Sequence, residues 1–196
     1  MKKIMFNDRY GFTEAVLSGR KTMTRRLISQ STLKKVDDFM VDYHNQTLDS
    51  LTELEALNQY FFVEEIGKLP YNVGEVVAIA QRYRDLIPNP ISIPADMGWF
   101  NKLFVRADQM PHQIRITNVR VEKLQDIGDV DCLAEGIEFS HKAQSFYVKN
   151  DSTTGAQTWL GNTPREAYAA LIDRISGKGT WDSNPFVFVY EFELVK

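Results

Sequence analysis

Eight consecutive residues, Gly19-Arg20-Lys21-Thr22-Met23-Thr24-Arg25-Arg26, place four cations and two hydroxyls directly after what reads as a short helix. A lysine three residues from a threonine can prime a hydroxyl nucleophile, and flanking guanidinium groups can hold a phosphate or a polarised carbonyl. The same cluster also fits a basic strand start that only faces water. A second polar feature lies at Asp129-Val130-Asp131-Cys132-Leu133-Ala134-Glu135-Gly136. Asp129 can cap a short helix there and Gly136 can take the left-handed position that ends it, which puts Glu135 in the last turn. A carboxylate in that position opposes the helix dipole by ~0.3–1 kcal/mol, so a nearby lysine would account for it; a solvated glutamate is the plain alternative.

The elements that must position these groups are readable around them. Lys3 to Phe6 reads as a first strand, Asp8 as the N-cap of a helix carrying Phe12, Val16 and Leu17, and Gly19 as its left-handed terminator. Thr22 to Ile28 follows as a strand. Lys21 and Thr24 have opposite parity in a regular strand, so for the two to meet the lysine must lie on the preceding turn with its stem curling back. Over 31–69, Leu33, Val36, Met40 and Tyr43, then Leu51, Leu54 and Leu57, recur at helical spacing and indicate a helical insertion. Gly74-Glu75 opens a strand running through Ala80.

Segment 86–100 contains Pro88, Pro90 and Pro94 and reads as a long loop or edge, since proline cannot donate to a ladder. Asn101 to Arg106 reads as a further strand. Between 112 and 122, Ile114 and Ile116 share one parity and Val119 and Val121 the other, which calls for a bulge near Thr117 or Asn118. Thr163-Pro164-Arg165-Glu166 is a capping box with proline at the first helical position, and Tyr168, Leu171, Ile172 and Ile175 form the apolar stripe of a helix ending before Gly177. Residues 186–195 form a long strand with Phe186, Phe188, Tyr190, Phe192 and Leu194 on one face. Short strands, separated helices and no alternating strand–helix series give an α+β class: a small mixed β-barrel with peripheral helices, one domain over 1–196.

Composition narrows the function classes. With 196 residues, 43% hydrophobic and 12% aromatic, the chain can bury a full core. A net charge of −3 argues against a broad grip on duplex DNA, so any nucleic-acid contact must be local. No apolar run approaches the ~20 residues that span a bilayer, and Asn7, Asp8 and Arg9 stand where a leader would be apolar, so no membrane partner is expected and the expected compartment is cytoplasmic. Cys132 is the one cysteine, and His44, His112 and His141 show no ligand spacing, so neither a metal nor another cofactor is expected. Gly177-Lys178-Gly179-Thr180 follows a helix, the wrong context for a phosphate loop. Tyr83, Trp99, Phe100 and Trp181 fall in or beside expected loops, where a ring can stack on an unpaired base or simply pack into the core.

Taken together, Gly19-Arg20-Lys21 with Arg26, the Gly74-Glu75-Val76-Val77 strand opening, Ala134-Glu135-Gly136 and the hydrophobic last strand resemble the ASCH domains of the PUA-like superfamily over nearly the whole chain. The usual signature Gly-x-Lys-x-x-Glu-x-Arg fits at Gly19, Lys21 and Arg26 but meets Thr24 where glutamate is commonest. Small bacterial ASCH proteins that hydrolyse N4-acetylcytidine carry a similar Gly-Arg-Lys-Thr-x-Thr segment. That resemblance implies a PUA-like barrel and catalytic roles for Lys21, Thr24 and Glu135. Longer ASCH proteins of phage and prophage sequences share the Trp181-Asp182-Ser183-Asn184-Pro185 approach to the last strand.

The expected function is recognition of a nucleoside or a single-stranded RNA element. Gly19, Arg20, Arg26, Tyr83 and Trp99 join the three catalytic candidates in the site, and amidohydrolysis of an acylated nucleobase is one specific activity that the resemblance implies for it, with catalysis itself left open. The alternative is a non-catalytic module that binds a protein partner through the 31–69 insertion.

Overall fold

The computed structural model describes residues 1–87, 96–150 and 156–195. The site depends on a five-stranded mixed sheet built from β1 (Lys3–Ile4), β2 (Met23–Leu27), β3 (Val76–Ile79), β4 (Gln113–Lys123) and β8 (Phe186–Val195). The strand order is β1-β3-β4-β8-β2, with β1 parallel to β3 and the other neighbours antiparallel. The expected barrel does not close, because no ladder joins β1 to β2 among the described residues. β1 ends after two residues, and Asn7 then turns the chain into a 3₁₀ turn, Asp8–Tyr10, so little strand is left to pair with β2. A side chain bridges the gap instead: Arg26 Nη2 donates to the Met5 carbonyl at 2.6 Å.

Helices flank this sheet. α1 (Phe12–Leu17) starts at Gly11, not at Asp8, and Asn7 caps the 3₁₀ turn before it. α1 ends in a full Schellman motif: Arg20 N–H donates to Ala15 O, Gly19 N–H donates to Val16 O, and Gly19 has φ +73°. The insertion supplies α2 (Gln30–Thr47) and α3 (Glu53–Asn58), the latter continuing into a π-type turn, Gln59–Val63. Leu33, Val36, Phe39 and Met40 of α2 pack on the core, and Phe61 meets Phe188 of β8 edge-on with ring centroids 5.0 Å apart.

After β3 the chain forms the short helix α4 (Tyr83–Leu86), and Pro88, Pro90 and Pro94 lie outside the described residues. Residues 101–106, expected as a strand, form no ladder; they contain the 3₁₀ turn Lys102–Phe104. The register of β4 against β8 shifts between Ile116 and Asn118, where the change of parity calls for a bulge.

α5 (Asp129–Ala134) has Gly128 at its N-cap, with Asp129 as the first helical residue, and Gly136 terminates it at φ +97°. A three-stranded sheet not foreseen from the sequence follows: β5 (Glu138–Ser140), β6 (Ser145–Lys149) and β7 (Gln157–Gly161). α6 (Pro164–Ser176) opens on the expected capping box: Thr163 Oγ1 accepts from Glu166 N–H at 3.1 Å and Glu166 Oε2 accepts from Thr163 N–H at 3.2 Å. Its buried face carries Ala167, Tyr168, Leu171 and Ile172, and the short helix α7 (Thr180–Ser183) leads into β8. Among the described residues no helix is long and apolar enough to cross a membrane.

Candidate functional site

Lys21 sits on the turn between α1 and β2, as strand parity requires. The Schellman motif holds it there, since Lys21 N–H also donates to Ala15 O, and Thr22 N–H then ties the strand start to Ala134 O of α5. These bonds bring the end of α1 against the end of α5. Gly136 makes the approach possible: a Cβ on it would already touch the Lys21 Cβ at 3.4 Å, and its φ of +97° is open to few other residues.

The result is a buried ion pair. Lys21 Nζ donates to Glu135 Oε2 at 2.6 Å and to the Glu135 carbonyl at 2.7 Å, and it lies 4.6 Å from the Phe12 ring centroid. Both side chains are almost wholly withdrawn from solvent. Burial is the largest influence on Lys21 and pulls its ammonium below the ordinary lysine range; Glu135 pulls the other way, and the net shift is downward. The carboxylate that opposes the dipole of α5 is therefore offset by a lysine.

A second cation steadies Glu135. The Arg25 side chain is fully buried, with Nη2 donating to Asp131 Oδ2 at 2.6 Å and to Glu122 Oε1 at 2.7 Å, and Nη1 reaching Glu135 Oε1 at 3.4 Å. Burial opposes its charge, but Glu135, Asp131 and Glu122 more than offset this and hold the guanidinium charged. Arg120 extends the network, donating to Asp131 Oδ2 at 2.9 Å and to Glu122 Oε2 at 3.0 Å.

Thr24 and Arg26 share a parity on β2, opposite to that of Arg25. The Thr24 hydroxyl bonds to no described residue and is not sealed from solvent, so it is free to meet a ligand. The Arg26 Nε is buried without a partner, and no carboxylate among the described residues lies within ion-pair distance of Arg26. Lys21, Thr24, Arg25, Arg26 and Glu135 all line one cavity of about 580 Å³, walled by Met5 to Asp8 on one side and by Leu171, Ile172 and Ile175 of α6 on another. Lys102 closes a further side, held by Asp8 Oδ1 at 2.8 Å and by the Phe6 carbonyl.

Four of the expected site residues, Lys21, Thr24, Arg26 and Glu135, thus meet, and four do not line this cavity. Gly19 acts on backbone conformation. Arg20 turns away to pair with Glu138 of β5. Tyr83 packs in a separate small cluster with Val105 and Met110, its hydroxyl accepting from Arg106 N–H at 2.9 Å. Trp99 is buried rather than free to stack. The roles of Arg25 and its carboxylates escaped the sequence reading. One signal was available: Asp131 on α5 and Glu135 at its C-cap stand four apart and share a face, and two such like charges call for a cation over them. Among the described residues no group of three or more His, Cys, Asp and Glu is placed to hold a metal ion.

No family model matches the chain, and no curated protein matches it. Among solved structures, the chain is similar to the crystal structure of a protein from Enterococcus faecalis V583 described under the family model DUF984. The two are 13% identical, the likeness covers 100% of this chain and 77% of that one, and the TM-score is 0.44.

Proposed function

We propose that the chain recognises a nucleoside, or a single-stranded RNA through one of its bases, in the cavity beside β2, and hydrolyses an acylated nucleobase amide there. The observation that carries this reading is the convergence of Lys21, Thr24, Arg26 and Glu135 on that one cavity with the Thr24 hydroxyl uncommitted. A volume of about 580 Å³ suits a ligand of nucleoside size. The resemblance of the Gly19–Thr24 segment to N4-acetylcytidine amidohydrolases of the ASCH family supports the same assignment.

Each residue then has a role set by its surroundings. Burial favours the neutral form of Lys21, and that amine, held in place by Glu135, takes the proton of the Thr24 hydroxyl. The Thr24 oxygen bonds to the acyl carbon, and the carbonyl electron pair moves onto its oxygen, where the Arg26 guanidinium, which has no carboxylate partner among the described residues, can receive the charge. Collapse breaks the C–N bond, and Lys21 returns the proton to the departing nitrogen. Water then loses a proton to Lys21 and adds to the ester carbonyl carbon; Lys21 returns that proton to the departing Thr24 oxygen as the C–O bond breaks, which releases the carboxylic acid and restores the hydroxyl. Arg25 touches no reacting atom in this scheme; it positions Glu135.

The protein-binding alternative would need an apolar face on the insertion. Over 31–69 its larger apolar side chains mostly face the core, and Val41, Leu48, Leu54, Val63 and Ile66 are the exposed ones.

The test is release of cytidine from N4-acetylcytidine, followed by chromatography for the unaltered chain, Lys21→Ala and Thr24→Ala. Turnover lost in both variants, with Thr24→Ala still folded and still binding the nucleoside, supports the scheme. Turnover retained in Thr24→Ala removes it as nucleophile, and no release by the unaltered chain removes the hydrolase reading.

A further inference from the structure

β2 is an edge strand, and its outer edge opens into the cavity. Two independent observations say so. First, Thr24, Arg25, Arg26 and Leu27 are consecutive in the strand, and all four line the cavity. Successive side chains point to opposite faces of a sheet, so a cavity that touches four in a row lies along the strand's edge. Second, the Arg25 side chain has no exposed surface, yet the residue as a whole keeps 6% exposure. What Arg25 shows to solvent is its main chain.

The hydrogen-bond pattern identifies which peptide groups are free. Phe192 N–H donates to Thr22 O, and Ile28 N–H donates to Phe186 O, so the even-numbered residues of this stretch bond to β8. In an antiparallel ladder the intervening residues point their N–H and C=O groups the other way. Those residues are Met23, Arg25 and Leu27, and no strand lies beyond them among the described residues. Arg25 therefore offers one donor and one acceptor, side by side, on the wall that also carries Thr24 and the orphaned Arg26 Nε.

We infer that the free β2 edge at Arg25 reads the hydrogen-bonding edge of the ligand's heterocycle, and that it selects bases with a ring-nitrogen acceptor next to an exocyclic N–H donor. Resting on the nucleoside reading of this cavity, the inference names what that site distinguishes. A cytosine-type base fits: Arg25 N–H donates to the ring nitrogen N3, and Arg25 C=O accepts from N4–H, which an N4-acyl amide retains. The Arg25 side chain makes no contact with the base. Its ion pairs with Asp131 and Glu122 hold the peptide group in place. Backbone readers are rigid, so a mismatched base leaves a desolvated peptide group unpaired and is rejected strongly.

The experiment is an amide-resolved NMR titration of the full chain with cytidine, 3-deazacytidine and N4,N4-dimethylcytidine, with affinities from the same data. Cytidine should shift the Arg25 N–H resonance and slow its hydrogen exchange. 3-Deazacytidine, lacking the acceptor, and the dimethyl analogue, lacking the donor, should each bind at least about tenfold more weakly. Cytidine binding that shifts Thr24 or Arg26 signals but leaves the Arg25 amide unmoved, or analogues that bind as well as cytidine, overturns the edge reading alone. Failure of all three to bind overturns the nucleoside reading and this inference with it. An extended tetrapeptide that protects the Arg25 amide where nucleosides do not would assign the edge to strand addition instead.

Discussion

Glu135→Gln tests the buried pair at the centre of the site. It keeps the shape of the side chain and removes its charge, leaving Lys21 with two hydrogen-bond acceptors but no counter-ion in a place that water hardly reaches. Breaking a buried pair by removing one partner costs about 3–5 kcal/mol. With a urea slope of about 2–3 kcal/mol per molar, a loss of about 4 kcal/mol lowers the unfolding midpoint by about 1.3–2 M.

The pH dependence has a definite sign. Burial already lowers the Lys21 pKa in the folded chain, and the substitution removes the Glu135 charge, the largest influence that raises it, so in the variant it falls further. Between that folded value and the ordinary 10.5 the unfolded chain binds more protons than the folded one, and stability rises with pH across the window. The defect of Glu135→Gln relative to the unaltered chain should therefore shrink from about pH 7 to about pH 10, read as urea midpoints at each pH. The double variant Lys21→Met/Glu135→Leu should recover much of the loss, because it removes both charges and fills the space. A midpoint within about 0.3 M of the unaltered chain at pH 7, or a defect that grows with pH, would refute the reasoning.

Two further perturbations test the frame around the site. Gly11→Ala should cost at least about 2 kcal/mol and Gly19→Ala only about 1 kcal/mol. Both glycines have positive φ, but a Cβ at Gly11 would lie 2.3 Å from the Lys149 carbonyl oxygen, whereas one at Gly19 meets nothing within 4 Å. Equal losses by thermal melting would contradict this. Burial is the largest influence pushing the Cys132 thiol up, to about 12, so alkylation at pH 8 should track unfolding, with native protein inert and urea-unfolded protein labelled. Rapid labelling of the native chain would place Cys132 outside the core.

The parts of this molecule that rest on neighbouring residues were legible in the sequence. Gly19 ends α1 and Thr163-Pro164-Arg165-Glu166 starts α6 because caps are bonds between groups a few residues apart. The parity change around Thr117 required a bulge because side-chain direction alternates along any strand, and the same rule put Lys21 on a turn. The strands of 138–161 were not legible: β5 has three residues, and β5 and β6 are separated by a polar turn, so no alternation develops.

Whether the sheet closes is a tertiary matter. It depended on where β1 stops relative to β2, and the open seam that resulted made the cavity. The burial of Arg25 was likewise decided in three dimensions. With four cations in eight residues, its side chain looks as solvated as its neighbours', and only the approach of Glu122 and Asp131 makes it an interior group. Tyr83 and Trp99 fell to packing rather than to the site for the same reason, since a loop aromatic's surroundings come from distant chain. The types Lys21, Thr24 and Glu135, and their chemistry, were present in the sequence. The 2.6 Å contact between Lys21 and a carboxylate 114 residues away was not, because Coulomb energy and desolvation depend on distance in space, which separation along the chain does not supply.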